Sequence, residues 1–216
     1  LEGLLEGLES EGRLDRVKII YVCSYHQNPT GLTLAHDRRA ALLDLVRDTL
    51  PKAMILGDST QCTYAGNLGF CPAWPGGYGN SATGYGTLGY GLPAAIGASL
   101  ARSGPVVSPI GDGGLQFCLG ELASAVEAEA QVILLLYDNK GYGKIKTSMV
   151  ALNVPPIGVD IYTPDLAAIA RASNWAVAGV ETPEALAEAL AEAATRRGPT
   201  LVHYDDSLRR AFRARL

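Results

Sequence analysis

Two short runs in this 216-residue chain carry the residue types that hold an anion through a metal ion. The apolar stretch Val106 to Ile110 leads straight into Gly111, Asp112, Gly113 and Gly114, and a helical pattern begins near Leu115. At the carboxyl end of a parallel strand, glycines let the backbone approach a ligand. The helix that follows aims unpaired N–H groups and a positive dipole end at an anion. A diphosphate suits such a turn. Asp112 would repel it unless a divalent cation lay between them, so the run implies Mg2+ or a similar hard ion. The second run, Asp138, Asn139, Lys140 and Gly141, closes the apolar stretch Val132 to Tyr137. Asn139 can give an amide oxygen and Gly141 a backbone carbonyl. Mg2+ takes few protein ligands and the rest from water and phosphate, so Asp112, Asn139 and Gly141 are the expected metal ligands.

These runs can cooperate only if the strands before them lie side by side. Apolar stretches alternate with segments of helical period, as in a parallel sheet flanked by helices on both faces, and the fold class is α/β. Strands are expected at Lys18 to Cys23, Ala53 to Leu56, Val106 to Ile110, Val132 to Tyr137, Trp175 to Val180 and Thr200 to Tyr204. Helices are expected at Asp37 to Leu50, Leu92 to Arg102, Phe117 to Glu129, Asp165 to Ser173 and Pro183 to Arg196, the last with Thr182 as its N-cap. The stretch Thr63 to Gly91 is rich in glycine with aromatics between, and reads as a long loop. The tail SLRRAFRARL reads as a solvated basic end.

Composition narrows the function. With 48% hydrophobic and 19% charged residues the chain is a globular protein. Its net charge of -4 offers no basic field for nucleic acid. No apolar run approaches the roughly 18 residues of a membrane span, so no membrane partner is expected. The opening LEGLLEGLESEGRLDR is acidic, without an initiator Met or a signal-peptide pattern, and suggests a cytoplasmic chain or a cut piece of one. Cys23, Cys62, Cys71 and Cys118 lack C-x-x-C spacing, so neither zinc nor a disulfide framework is expected.

A GDG at 111–113, 24 intervening residues and then Asp138-Asn139 resembles the thiamine diphosphate motif, with Asp138 in place of the first Asn of the pair. The earlier segment TGYGTLGYGLPAAIGASLA, 83–101, is similar to the stretch before GDG in acetolactate synthases and 2-oxo acid decarboxylases. The resemblance implies thiamine diphosphate and Mg2+ as cofactors. It also implies a diphosphate-binding domain, with Gly111, Asp112, Gly113 and Gly114 at the diphosphate and Asp112, Asn139 and Gly141 at the metal. The Gly86 carbonyl would accept from the 4'-amino group, and Leu88 would be the wedge that bends the cofactor. Those two are the expected catalytic positions, with Thr87 between them and Tyr142 counted among the cofactor contacts. Asp58 to Gln61 resembles the turn that opens this domain in some relatives, and Gln61 is the expected contact to the terminal phosphate. The segment after Gly143 resembles decarboxylases of guanidino 2-oxo acids, where an acidic residue is expected at Lys144. Gly84, Gly86 and Gly89 also spell G-x-G-x-x-G, but no strand precedes them, so the dinucleotide reading fails.

Residues 13–50 resemble a different class, the fold-type I aminotransferases that use pyridoxal phosphate, through Asn28-Pro29-Thr30-Gly31. Asp58 falls about where such an enzyme needs an Asp for the pyridine nitrogen, but no Schiff-base lysine follows in that half, which argues against pyridoxal chemistry. The expected organisation is an aminotransferase-like fragment over 1–56, a thiamine diphosphate-binding domain over 57–208 and a basic tail over 209–216. In the resembling enzymes the cofactor is the electron sink for loss of carbon dioxide from a 2-oxo acid. A Glu on a separate pyrimidine-binding domain protonates the pyrimidine ring there. The chain is therefore expected to act on a 2-oxo acid with that domain supplied in trans or by a homo-oligomer, and to turn over weakly or not at all alone. A catalytically dead fusion remnant and a free-standing binding or interaction domain stay open as alternatives.

Overall fold

The computed structural model describes residues 41–213. The expected strand at Lys18 to Cys23 and the Asn28 to Gly31 turn lie outside them. The described elements are α1 (Ala41–Thr49), β1 (Met54–Gly57), α2 (Gln61–Gly69), β2 (Tyr78–Asn80), a 3-10 turn (Ser81–Thr83), α3 (Gly91–Ala101) and β3 (Val106–Gly111). Then follow α4 (Asp112–Gln116), α5 (Glu121–Glu127), β4 (Val132–Tyr137), α6 (Gly143–Ala151), α7 (Leu166–Ala172), β5 (Ala176–Gly179), α8 (Pro183–Thr195), β6 (Thr200–Tyr204) and α9 (Asp206–Arg213). The six strands form one sheet in the order β2-β1-β3-β4-β6-β5, every pair parallel.

Alternation along the strands divides the core. Val106, Ile110, Leu134 and Leu136 face one layer with Leu92 of α3, Leu122 of α5 and Leu166 of α7. Val107, Ile133, Leu135 and Val202 face the other, with Leu43 and Val46 of α1, Leu190 of α8 and Leu208 of α9. All six residues of β4 are buried, which explains its unbroken apolar run: a central parallel strand has no solvent face. Helix α1 therefore belongs to the core of the sheet that carries the glycine turns.

Four features differ from the sequence expectation. The stretch 63–91 is not all loop: it contains most of α2, the edge strand β2 and the 3-10 turn. Thr63 holds the start of α2, accepting from Thr60 N at 3.2 Å and donating to Asp58 O at 2.6 Å. Phe117 to Glu129 is not one helix, because α4 starts at Asp112 and ends at Gln116, before α5. Helix α6 was not foreseen; none of its residues is buried, so it has no apolar stripe to read. The tail begins as helix α9, with Leu208 fully buried and Arg209 donating to Tyr137 Oη at 2.7 Å. Thr182 caps α8 as expected, its Oγ1 accepting from Ala185 N at 3.2 Å.

Candidate functional site

The site forms where the winding of the sheet reverses. From β1 the chain passes to β2 on one side, then returns to β3 on the other, so the carboxyl ends of β1 and β3 flank a switch point. Pairing of β1 with β3 is recorded only at Met54–Val106 and Ile55–Val107, two residues before Pro109, which has no N–H to extend the ladder. Register between β3 and β4 sets Gly111 beside Tyr137, so the Gly111–Gly114 and Asp138–Gly141 turns emerge together. A cavity of about 300 Å³ lies over these ends.

Among the described residues the cavity wall includes Gln61, Gly86, Leu88 and the whole Gly111–Gly114 turn. Asn139, Gly141 and Tyr142 line it as well. These come from four separate parts of the chain, and ten of the expected cofactor contacts thus meet in one place. Thr87 does not join them; it is exposed, with Oγ1 donating to Leu88 O at 3.1 Å. Tyr85 is 99% exposed and also lies off the wall.

Each wall has a local cause. Gly86 holds φ +77°, a backbone state that side chains rarely adopt, and its carbonyl accepts from Ser59 Oγ at 3.1 Å. A Cβ on Gly113 would lie 2.6 Å from the Tyr142 ring, so glycine there admits the aromatic wall. A Cβ on Gly114 would lie 3.0 Å from Asp58 Oδ1. That carboxylate, fully buried, accepts from Ser59 N at 2.8 Å and Gly91 N at 2.9 Å, tying β1 to the first turn of α3. Burial raises the pKa of Asp58 and these N–H groups partly offset the rise.

Asp112 is 1% exposed, and its two oxygens have different surroundings. Oδ2 accepts from Gly141 N at 3.0 Å and from Thr163 Oγ1 at 2.9 Å. Near Oδ1 sits the Asn139 amide, one of whose two polar atoms is 3.0 Å from Asp112 Oδ1 and 2.7 Å from Gly141 O. As nitrogen, that atom donates to both oxygens. As oxygen, it stands 3.0 Å from one oxygen and 2.7 Å from another, contacts that a cation between them would turn from repulsive to favourable. Amide orientation is an assignment of hydrogen-bond partners, and a bound ion would reverse it. An octahedral Mg2+ with ligands at about 2.0–2.1 Å sets neighbouring oxygens about 2.9 Å apart, which matches these separations. Asp112, Asn139 and Gly141 thus fit a hard cation. The surroundings agree: burial raises the pKa of Asp112, Thr163 opposes the rise, and the charge of Asp138 adds to it. A divalent ion would reverse that balance in favour of the carboxylate. No cluster of three or more His, Cys, Asp or Glu occurs among the described residues.

Asp138 itself is turned to other partners, Lys140 Nζ at 2.5 Å and His203 Nε2 at 3.3 Å. Thr163 escaped the sequence reading because it lies 51 residues from Asp112 and carries no local pattern. Ser59 and Thr60 lay within the recognised turn but without a role, and both line the cavity, as do Tyr64, Tyr137 and Lys144.

Residues 58–204 match a family model described as thiamine pyrophosphate enzyme, C-terminal TPP binding domain. The chain is 38% identical over 165 residues to the probable 2-ketoarginine decarboxylase AruI of Pseudomonas aeruginosa, covering 75% of this chain and 29% of that protein. It is 35% identical over 119 residues to benzoylformate decarboxylase of the same organism, covering 54% of this chain and 22% of that protein. The thiamine diphosphate-dependent 4-hydroxybenzoylformate decarboxylase of Rhodococcus jostii RHA1 superposes with a TM-score of 0.68 at 27% identity, over 88% of this chain and 36% of that one. This chain thus spans under a third of the length of the two curated relatives. The aminotransferase resemblance of residues 13–50 finds no support among these matches.

Proposed function

The chain belongs to the thiamine pyrophosphate enzymes through their C-terminal TPP-binding domain, and from that we propose that it binds thiamine diphosphate through Mg2+ and serves the conversion of a 2-oxo acid in an acetolactate synthase-like or decarboxylase reaction. The observation that carries this reading is the convergence of Asp112 Oδ1, the Asn139 amide and Gly141 O at separations suited to one hard cation.

When bound, the cofactor supplies the electron sink for decarboxylation. The residues of this chain have four tasks. Gly113 and Gly114 offer N–H groups at the start of α4 to the diphosphate. Asp112, Asn139 and Gly141 hold the cation that neutralises it. Gln61 reaches the cavity from the first turn of α2, beside Gly143, in position to donate to a terminal phosphate oxygen. Gly86 presents a carbonyl oriented by Ser59, able to hold an amino group as acceptor, and Leu88 offers branched apolar bulk beside it.

The acid that protonates the pyrimidine ring would come from a pyrimidine-binding domain outside these residues. Support for such pairing is the apolar surface on and after α6, where Ile145, Val150, Leu152 and Ile157 are 51–77% exposed. That surface favours half of a composite site over a free-standing binder. The isolated chain would turn over weakly or not at all. Free thiols at Cys62, Cys71 and Cys118 suit a reducing, cytoplasmic setting, and no described helix is long and apolar enough to cross a membrane.

Calorimetric titration of the chain with thiamine diphosphate and Mg2+, with and without a pyrimidine-domain partner, tests the proposal. Binding that requires the metal, strengthened by the partner, is the expected result. Folded protein that binds in neither arm overturns it.

A further inference from the structure

Three lysines lie on the stretch that runs from β4 into α6. Lys140 Nζ is 2.5 Å from Asp138 Oδ2 and Lys146 Nζ is 2.7 Å from Asp160 Oδ1, so both are neutralised within the chain. Lys144 is different. It sits in the first turn of α6, half-buried on the cavity wall, and among the described residues it forms no ion pair. Among the described residues the only other charged one on that wall is Asp112, whose Oδ2 already holds Gly141 N and Thr163 and whose Oδ1 faces the cation position. The remaining wall is neutral. Lys144 is thus a positive charge on the cavity wall that no carboxylate of the described residues neutralises.

We propose that Lys144 selects a 2-oxo acid whose far end carries a negative charge, in the simplest case a dicarboxylic 2-oxo acid. The inference rests on the function proposed above, because the acid must share the cavity with the cofactor. The diphosphate has its own partners in the α4 N–H groups and the cation, which leaves the α6 wall for the other ligand. Ile145 and Leu88 add apolar surface on the same cavity, suited to the methylene stem of such an acid. Charge sign then discriminates: a terminal carboxylate is attracted, an alkyl end is indifferent, and a guanidinium or ammonium is repelled.

The test is calorimetric titration of the full chain, loaded with thiamine diphosphate and Mg2+, with three acids: 2-oxoglutarate, 2-oxopentanoate and 5-guanidino-2-oxopentanoate. Binding of 2-oxoglutarate is expected to be about tenfold tighter than that of 2-oxopentanoate, with the guanidino acid weakest, as one screened charge pair on a half-open wall implies. Lys144→Gln is expected to erase the preference and Lys144→Glu to invert it toward the guanidino acid. Thiamine diphosphate affinity should change less than about twofold in Lys144→Gln, since no diphosphate contact is assigned to Lys144. Equal affinities for the three acids, failure of all three to bind, or a preference that survives Lys144→Gln would each overturn the inference. So would a tenfold loss of cofactor affinity in that variant, which would give the lysine to the diphosphate. Absence of cofactor binding in the wild-type chain, both with and without a pyrimidine-domain partner, is a different failure, and sinks the proposed function along with it.

Discussion

Thr163→Val isolates the hydrogen bond that orients the candidate metal ligand Asp112. The hydroxyl donates to Asp112 Oδ2 at 2.9 Å, and Gly141 N donates to the same oxygen at 3.0 Å. With both in place the carboxylate is fixed so that Oδ1 faces Asn139 and Gly141 O. Valine keeps the shape and removes one of the two donors. A hydrogen bond to a charged acceptor contributes about 1.5–3 kcal/mol; Thr163 is only half-buried and Gly141 N remains, so about 1–2 kcal/mol is at stake. At about 1.4 kcal/mol per decade, the metal-dependent affinity for thiamine diphosphate should weaken about 5- to 30-fold. The assay is calorimetric titration of Mg2+ into chain and cofactor, with Mn2+ as a second probe. Thr163→Ser, which keeps the hydroxyl, should stay within about twofold of wild type. Thermal unfolding of the unliganded chain should drop modestly in Thr163→Val, since the same hydrogen bond is present without the ion, and stay near wild type in Thr163→Ser. Equal losses in Val and Ser, or no loss in Val, would refute the orienting role.

Leu208→Ala should lower stability by about 2–5 kcal/mol, read from chemical denaturation, because this fully buried side chain docks α9 on the core; a change under about 1 kcal/mol would show that α9 is dispensable. Asp58 should give the unliganded chain a distinctive pH dependence. Its pKa is raised by burial, so its contribution is fully present below the unfolded value of about 3.9 and is lost as pH rises through the higher folded value. The wild-type chain should therefore lose stability relative to Asp58→Asn across that rise, and a flat difference between their pH profiles would contradict the burial argument. In a Cys23→Ser background, a thiol reagent should modify exposed Cys71 promptly and leave Cys118, buried and with its thiol pushed up to about 12, protected until unfolding. Mass spectrometry of the labelled peptides decides it, and early modification of Cys118 would count against the packing described for α4 and α5.

The sequence alone determined the chemistry on offer. Gly111 to Gly114 and Asp138 to Gly141 are contiguous, each follows an apolar strand, and the meaning of such a turn depends on neighbours within a few residues. The five described strands that were foreseen share that property: VILLLY reads as a buried parallel strand because burial on both faces leaves no polar alternation. Elements stabilised by distant partners were illegible. Strand β2 is three residues, YGN, held by pairing with β1, and α2 is a glycine-containing helix whose start is fixed by Thr63. Helix α6 buries none of its residues.

Tertiary structure decided how the pieces meet. Strand order 2-1-3-4 placed the ends of β1, β3 and β4 around one crevice, and no local pattern encodes strand order. It also brought Thr163 to Asp112 across 51 residues, left Thr87 off the cavity wall, and gave Lys140 and Lys146 carboxylates while leaving Lys144 facing the cavity. The physical reason is range. Turn geometry and strand burial are set by a few neighbouring residues, whereas the orientation of a carboxylate or the pairing of a lysine is set by whatever the rest of the chain packs against it.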